Sequence, residues 1–590
     1  MSAAISHHQA GDLKSAAAQY RAVLAIAPDH AEALYLAGDV DRQAGSADEA
    51  LRKLEKSLAL RPNHLPALEM LGAVAVQAGK FGQAADSFGT AAALRATPDA
   101  HYNHGFALFK GQRYDAAVAA FRAALALKAD FAQAHYLMAA SLRLLGRLEE
   151  AAAAYERVIA LRPQHAHAMD EYGGVLFDLG LVTEAETVLR RAIAVAPDMA
   201  NPYTNLGRIY HHSCAVDAAS IALELHDQAI ARAPANAEAH NNRAVALQML
   251  GRTSEALASY EKAIALKPAY AEAHRNKGLA SLMLQRWSDG WTENEWRYKC
   301  RQFPSSPRGF SQPVWDGTPP IGTLLVWGEQ GIGDEILYGS MVGDLVEQGY
   351  SIAWEMDDRL RPLVTRSFPR VQAIARRTPP APATSAPSIA AQISTASLGQ
   401  YLRTAPGAFP ANPRRYLRAD EARTAVYRDR LTRGGKTRVI GISWTSANPR
   451  FGAHKSSPLE LWRPLWNAAD SATRFVDLQY GDTATERART GLDLTHCDDV
   501  DVFADMDGLA ALIAACDGVV SVSNTTAHLA CALGVPTAVI VPFGNGQLWY
   551  WGNDGAHTPW YPSARVFRQH EAGHWEDVLA AVAKEFVAAS

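Results

Sequence analysis

A chain of 590 residues, 48% of them hydrophobic and with a formal net charge of −4, holds material for several cores and offers no broad electrostatic pull toward nucleic acid or membrane. Its five cysteines (Cys214, Cys300, Cys497, Cys516 and Cys531) are scattered, odd in number and never at metal-ligand spacing, so structural disulfides and a zinc module are excluded as expectations. Neither a basic-then-apolar leader nor a run near the roughly 20 apolar residues of a spanning helix occurs, and the expected location is cytoplasmic, without membrane contact.

Along the chain, a proline recurs at Pro28, Pro62, Pro98, Pro163, Pro197, Pro234 and Pro268, mostly at 34-residue intervals, with Ala129 in the one empty slot. Small residues follow ten places later at Gly38, Gly72, Ala139, Gly173, Gly207, Ala244 and Gly278. Glycine turns then stand at Gly45, Gly79, Gly146, Gly180 and Gly251. This period resembles the tetratricopeptide repeat (TPR), two antiparallel helices per unit. Small residues allow the paired helices to approach, and glycine ends the first helix. About eight units over 1–285 are expected to form an α superhelix that serves as a binding surface.

After a linker at 286–320 the pattern changes to short β-branched runs alternating with helical stretches. The predicted strands are Thr323–Trp327, Ser351–Glu355, Arg438–Trp444, Arg474–Gln479, Gly518–Val522 and Thr537–Val541. Alternation of this kind implies parallel α/β sheets. Pro/Ala-rich stretches at Thr378–Pro387 and Thr404–Pro413 read as connections. Two Rossmann-like domains are expected, at 321–415 and 435–570, with a cleft between them and a final helix within 571–590.

Two segments carry the chemistry. Glu329, Asp334 and Glu335 follow the first predicted strand in a glycine-bearing turn, Gly328–Leu337. Only Gly331-x-Gly333 matches a dinucleotide fingerprint, and carboxylates there would repel a pyrophosphate, so an exposed turn carrying a general base fits better than a nucleotide loop. The second segment runs from an apolar strand into Ser523-Asn524-Thr525-Thr526, followed by a helix through Ala527–Leu533. Hydroxyls and N–H groups at a helix start suit a phosphate, and an ordinary N-cap is the other reading. Asp505-Met506-Asp507 spells Asp-x-Asp but precedes a helix, so capping explains it better than metal binding. Aromatic residues at Trp549, Tyr550, Trp551, Trp560 and Tyr561 either wall the cleft or pack between domains.

Taken together, Gly328–Leu337, Arg359–Val371, Gly441–Trp444, Phe475–Gly481, Asp517–Pro536 and Thr558–Gln569 resemble bacterial TPR proteins whose C-terminal half is related to heptosyltransferases. Tyr298–Arg301 and Pro313–Gly317 in the linker look like the same group. The resemblance implies a metal-independent glycosyltransferase of the GT-B fold. The 321–415 half would face the acceptor and the 435–570 half would hold a nucleotide-sugar donor. Asp334 matches the family's aspartate base, with Glu329 beside it as a second catalytic candidate. Asn524, Thr525, Thr526 and His528 match the donor side, where Trp444 and Ser523 are further donor-binding candidates. Lys455, in the loop Ser446–Ser457, is the candidate cation for the leaving phosphate. Where heptosyltransferases carry an aspartate this chain has Ser523, which would relieve repulsion with an anionic donor such as a CMP-activated nonulosonic acid (pseudaminic acid being one).

Asn205, Asn242 and Asn276 stand eight places after the proline mark, with Asn103 at the equivalent place in a shortened unit. Such a series can hold an extended peptide backbone, each amide offering a donor and an acceptor. The expected function is O-glycosylation of Ser or Thr on a protein captured by the repeats. Among bacterial TPR glycosyltransferases the flagellin-modifying group is most similar, which makes flagellin the expected partner. No cofactor beyond the donor substrate is expected, and no nucleic acid. Two alternatives stay open: transfer to a saccharide or lipid-linked glycan with the repeats recruiting partners, and a TPR adaptor with a degenerate transferase half.

Overall fold

The computed structural model describes every residue except 214, 216, 411–414, 449–450 and 589–590. Cys214, and the parts of the predicted 404–413 connection, the 446–457 loop and the final helix that fall on those positions, lie outside the described residues. The chain divides into two compact units, Met1–Ile209 and Tyr210–Ser590.

The first unit is a run of antiparallel helices, from Ser2–Gln9 and Leu13–Ile26 through Ala166–Asp178 and Val182–Val195. The recurring prolines sit in the turns between helix pairs, as Pro28 does between Leu13–Ile26 and Ala31–Gln43, except Pro98, which opens the helix Pro98–Lys110. The small residues are required by contact: a Cβ on Gly72 would lie 2.7 Å from the Phe88 ring, and one on Gly105 would lie 2.6 Å from Phe121. The partner helix fills the space with a large side chain sixteen residues on, and alanines close the seam.

The second unit starts with further helices of the same kind: Ala218–Arg232, Ala237–Met249, Thr253–Leu266, Ala271–Met283 and Trp287–Asn294, then a 3₁₀ turn at Glu295–Lys299. The first sheet that follows contains β1 (Thr323–Trp327), β2 (Ile352–Met356), β3 (Gln372–Ala375) and β4 (Ile389–Ser394), all parallel, in the order β3-β2-β1-β4. The second contains β5 (Arg438–Ser443), β6 (Thr473–Asp477), β7 (Leu494–Thr495), β8 (Gly518–Val522), β9 (Thr537–Val541) and β10 (Ala564–Arg568). It too is parallel, in the order β10-β9-β8-β5-β6-β7. These are the expected α/β sheets of a GT-B fold, after the expected TPR superhelix. Of the strands absent from the prediction, β3 and β7 are the shortest and β10, Ala564-Arg-Val-Phe-Arg568, carries two arginines; β4, Ile389-Ala-Ala-Gln-Ile-Ser394, lacks the β-branched run that marks β8.

The last helices of the array are built into this unit. Trp287 and Trp291 are buried in one cluster with Trp549 and Trp560, and the Trp291 indole N–H donates to the Arg403 carbonyl at 3.0 Å. Met249 and Gly251 meet the loop after β9: a Cβ on Gly544 would lie 2.5 Å from the Met249 carbonyl oxygen, and Asn545 donates to the His211 carbonyl at 2.6 Å. The aromatic cluster therefore packs elements together, while Tyr550 also reaches the site described next. The terminal helix, Glu576–Val582 continued by Ala583–Val587, closes the second sheet's other face.

Candidate active site

In parallel α/β sheets, ligands collect at the carboxyl ends of strands where the strand order reverses direction. The first sheet reverses between β1 and β4, and the second between β5 and β8. Both segments singled out in the sequence leave from these points: Gly328–Asp334 follows β1, and Ser523–Thr526 follows β8.

Asp334 lies in the first turn of the Ile332–Glu347 helix and accepts from the Gly331 N–H at 3.2 Å in a capping box. Burial is the main force on its carboxyl and pushes its pKa up to about 6, with the nearby Glu329 adding to this. The Gly331 N–H and the Lys455 ammonium work the other way. The turn is not the exposed one expected from its three carboxylates. Glu329 is 1% exposed, with its oxygens taken by Arg297 (3.0 and 3.1 Å) and by the Tyr298 hydroxyl (2.8 Å). That occupancy removes Glu329 as a second base and makes it a support for the turn. Glu335 is buried as well, pushed up to about 7 by desolvation, and is held by Arg376 at 2.7 Å and the Asp357 N–H at 3.0 Å.

Facing this turn is the start of the Thr525–Ala532 helix. A Cβ on Gly333 would come within 3.3 Å of the His528 ring and 3.6 Å of the Thr525 hydroxyl, so the two helix starts meet where neither carries bulk. Asn524 caps the second helix: its Oδ1 accepts from the Ala527 N–H (3.2 Å) and the Ser521 hydroxyl (3.0 Å). Its Nδ2 donates to Ser443 Oγ (2.8 Å) and the Thr445 carbonyl (3.0 Å). With its side chain so occupied, Asn524 ties β5 to β8 and orients the helix start. The N–H groups of Thr525 and Thr526, in the first turn, have no intrahelical acceptor and suit an anion.

Lys455, 5% exposed, ends the short helix Gly452–Lys455 after β5. Burial pushes its ammonium down to about 8 against the opposing influence of the Asp334 carboxylate. Among the described residues no carboxylate lies within 4.0 Å of it. His528 is buried, its Nδ1 3.0 Å from the Tyr561 hydroxyl and its ring stacked on Trp551 at 5.2 Å. Burial, with Lys455 adding, pushes it down to about 3, so the ring is neutral near pH 7. Ser523 accepts from the Trp551 indole N–H at 2.8 Å. Tyr550 is close enough to Asp334 for the carboxylate to raise its hydroxyl, after the larger effect of burial.

Trp444 does not belong to this site. It is fully buried in the core beneath the second sheet, its indole N–H donating to Glu486 at 2.8 Å, so direct donor contact is ruled out. The asparagines of the repeats are partly self-satisfied. Asn276 donates to Asn241 (3.2 Å), Asn241 to Asn242 (3.1 Å), and Asn205 to Asp170 (2.8 Å) while accepting from Arg208 (3.2 Å). Asp505 caps its helix through the Gly508 N–H at 2.7 Å, as expected, and Asp507 pairs with Arg366 at 2.6 and 2.7 Å. Sequence reasoning missed Arg297, whose one signal was its place directly before Tyr298–Arg301.

Comparison with known proteins identifies both kinds of domain in the chain. Residues 394–578 match Glycosyltransferase family 9 (heptosyltransferase). Tetratricopeptide repeat families match at 2–64, 69–134, 102–166 and 136–202, and again at 227–258 and 249–285. Asp334 falls outside the family 9 match. Protein FlbA of Caulobacter vibrioides (strain ATCC 19089 / CIP 103742 / CB 15) is 30% identical over 394 residues, covering 63% of this chain and 64% of that protein's length. Among solved structures, MamA is similar over 27% of this chain and 93% of its own at 29% identity and a TM-score of 0.26. YrrB, a TPR protein, is similar over 31% and 95% at 22% identity and a TM-score of 0.29. The chain thus combines tetratricopeptide repeats with a glycosyltransferase family 9 domain.

Proposed function

We propose that the protein is a glycosyltransferase that moves a sugar from a nucleotide donor to a hydroxyl of a protein held by its repeats. One observation carries the reading: the two sheets present their reversal points to each other, with Asp334 on one side and Lys455 and the Thr525–Ala532 helix start on the other. In this reading Asp334 takes the proton from the acceptor hydroxyl as its oxygen bonds to the anomeric carbon. The anomeric carbon–oxygen bond to the nucleotide breaks, and the departing phosphate gathers charge beside Lys455 and the Thr525 and Thr526 N–H groups. No described helix is long and apolar enough to cross a membrane.

For the finer assignment we propose a CMP-activated nonulosonic acid as donor and Ser or Thr of flagellin as acceptor, with transfer in the cytoplasm. Ser523 supports an anionic donor, because this buried position accepts a Trp551 N–H through a neutral hydroxyl and adds no charge beside the phosphate site. The test is the intact mass of flagellin co-expressed with the protein and a nonulosonic-acid pathway, beside an Asp334→Ala control. A mass gain of whole sugar units, lost in the control, is expected. Unchanged mass with donor present would remove flagellin, and a gain that persists in the control would remove Asp334 as base.

A further inference from the structure

The turn that ends the helical array, Glu295–Lys299, directs a fully buried arginine into the sheet unit. Arg297 holds Glu329 with Nε and Nη2, and its Nη2 also reaches the hydroxyls of Ser394 (2.9 Å) and Ser397 (2.7 Å) at the end of β4. Its Nη1 donates to the Asn294 carbonyl (3.1 Å) and Glu295 (2.5 Å). The turn is braced from the array side, where Trp296 lies flat on His274 of the Ala271–Met283 helix, ring centroids 3.9 Å apart and planes 4° from parallel.

A buried arginine–carboxylate pair is poor value as a stabiliser, since apolar side chains of the same volume do as well or better. Its location gives it another use. Glu329 opens the turn that ends in Asp334, and an unneutralised charge at Glu329 would act directly on that carboxyl. We propose that Arg297 is a positioning residue for Asp334, fixing the Glu329–Asp334 turn and keeping Glu329 a compensated carboxylate, so that the last repeat is joined to the base through one guanidinium. The proposal rests on the reading of Asp334 as the base.

Among the described residues, the groups facing Asp334 are few. Glu329 and the Gly331 N–H come from its own turn, Lys455 from Gly452–Lys455, Tyr338 from its own helix and Tyr550 from the segment Trp549–Trp551. His528, neutral, lies across from Gly333, and Glu335 is engaged by Arg376 and Asp357. Tyr298 and Arg297 act at one remove, through Glu329.

The test needs no substrate. In full-length protein carrying 13C at the aspartate carboxyl, the Asp334 signal is identified by its loss in Asp334→Asn and followed from pH 4 to 9. Wild type should titrate in one main step. Glu329→Gln should lower the midpoint by about one unit, as loss of a near negative charge requires. Arg297→Met should give two steps, because two carboxyls then share the site and titrate as a pair. The Arg297→Met/Glu329→Gln double variant should return to a single step near the wild-type midpoint, because it removes both charges of the compensated pair. A one-step Arg297→Met curve at the wild-type midpoint, or a Glu329→Gln midpoint that does not move, would overturn the proposal. If Arg297→Met does not fold, the Glu329→Gln midpoint and the double variant decide it. Failure of the base reading looks different: the titrations behave as stated, while Asp334→Asn keeps transferase activity.

Discussion

Gly546 packs directly on the stem of Lys455: a Cβ at residue 546 would stand 2.8 Å from Lys455 Cγ, and the residue's φ of +87° lies in the left-handed region. The loop after β9 therefore sets where the ammonium sits. Gly546→Ala should push Lys455 off position and raise the donor Kd about tenfold, a cost of about 1.4 kcal/mol. Backbone strain at positive φ should also cost roughly 1 kcal/mol of stability. Calorimetric titration with the nucleotide donor, alongside a thermal melt, checks both; an unchanged Kd would separate Lys455 from the donor.

The Asp334 carboxyl, raised to about 6, must be ionised to accept a proton. Transfer should therefore rise with pH through a midpoint near 6. Asp334→Asn should lower kcat on the order of 10²–10⁴-fold while leaving donor affinity within a few-fold. A kcat/KM profile from pH 4.5 to 9 reads this, and a flat acid side would count against it.

Lys455 carries the opposite sign. Its folded pKa, about 8, lies below the ordinary lysine value of 10.5, so between these values the unfolded chain binds more protons and stability increases with pH. Below about pH 8 the buried ammonium costs stability. Lys455→Met should raise Tm at pH 7 by at least about 2 °C and lose that advantage above pH 10. The same variant should lose donor affinity. A lower Tm at pH 7 would mean that the ammonium has a stabilising partner.

In the repeats, Gly105→Val should be tolerated far less than a surface change, since even the first added carbon meets the Phe121 ring. A cost of about 1–3 kcal/mol is expected. The melt of the first unit should shift, and donor binding in the second unit should not.

Much of this was legible from residue order. The 34-residue period announced the helix pairs because one contact, small residue against large, repeats with it. Strands β1, β8 and β9 were legible because they are mostly apolar runs between turn residues, with Ser521 the one polar residue inside β8. Lys455 and Asp334 were both named, although nothing local says that a loop lysine after β5 will be buried. What sequence hid was occupancy. Glu329 and Asn524 look like free functional groups until their partners, Arg297 32 residues away and Ser443 81 residues away, come into place. Trp444 misled for the converse reason: it adjoins a polar loop, yet its side chain turns to the core and Glu486. Chain order cannot supply pairings that depend on how strands from distant segments line up.

The seating of the last helices against the sheets bears on how the molecule can be re-engineered. A cut at about residue 320, the obvious place by composition, would take Trp287 and Trp291 from their aromatic neighbours, the Met249 backbone from Gly544, and Arg297 from Glu329. What remained would be sheets with an open apolar wound and a loosened Glu329–Asp334 turn. Exchange of recognition modules belongs upstream of Tyr210, where the chain passes from one compact unit to the other. Everything after that point is one machine part, and a swapped array would have to be grafted onto its helical stub.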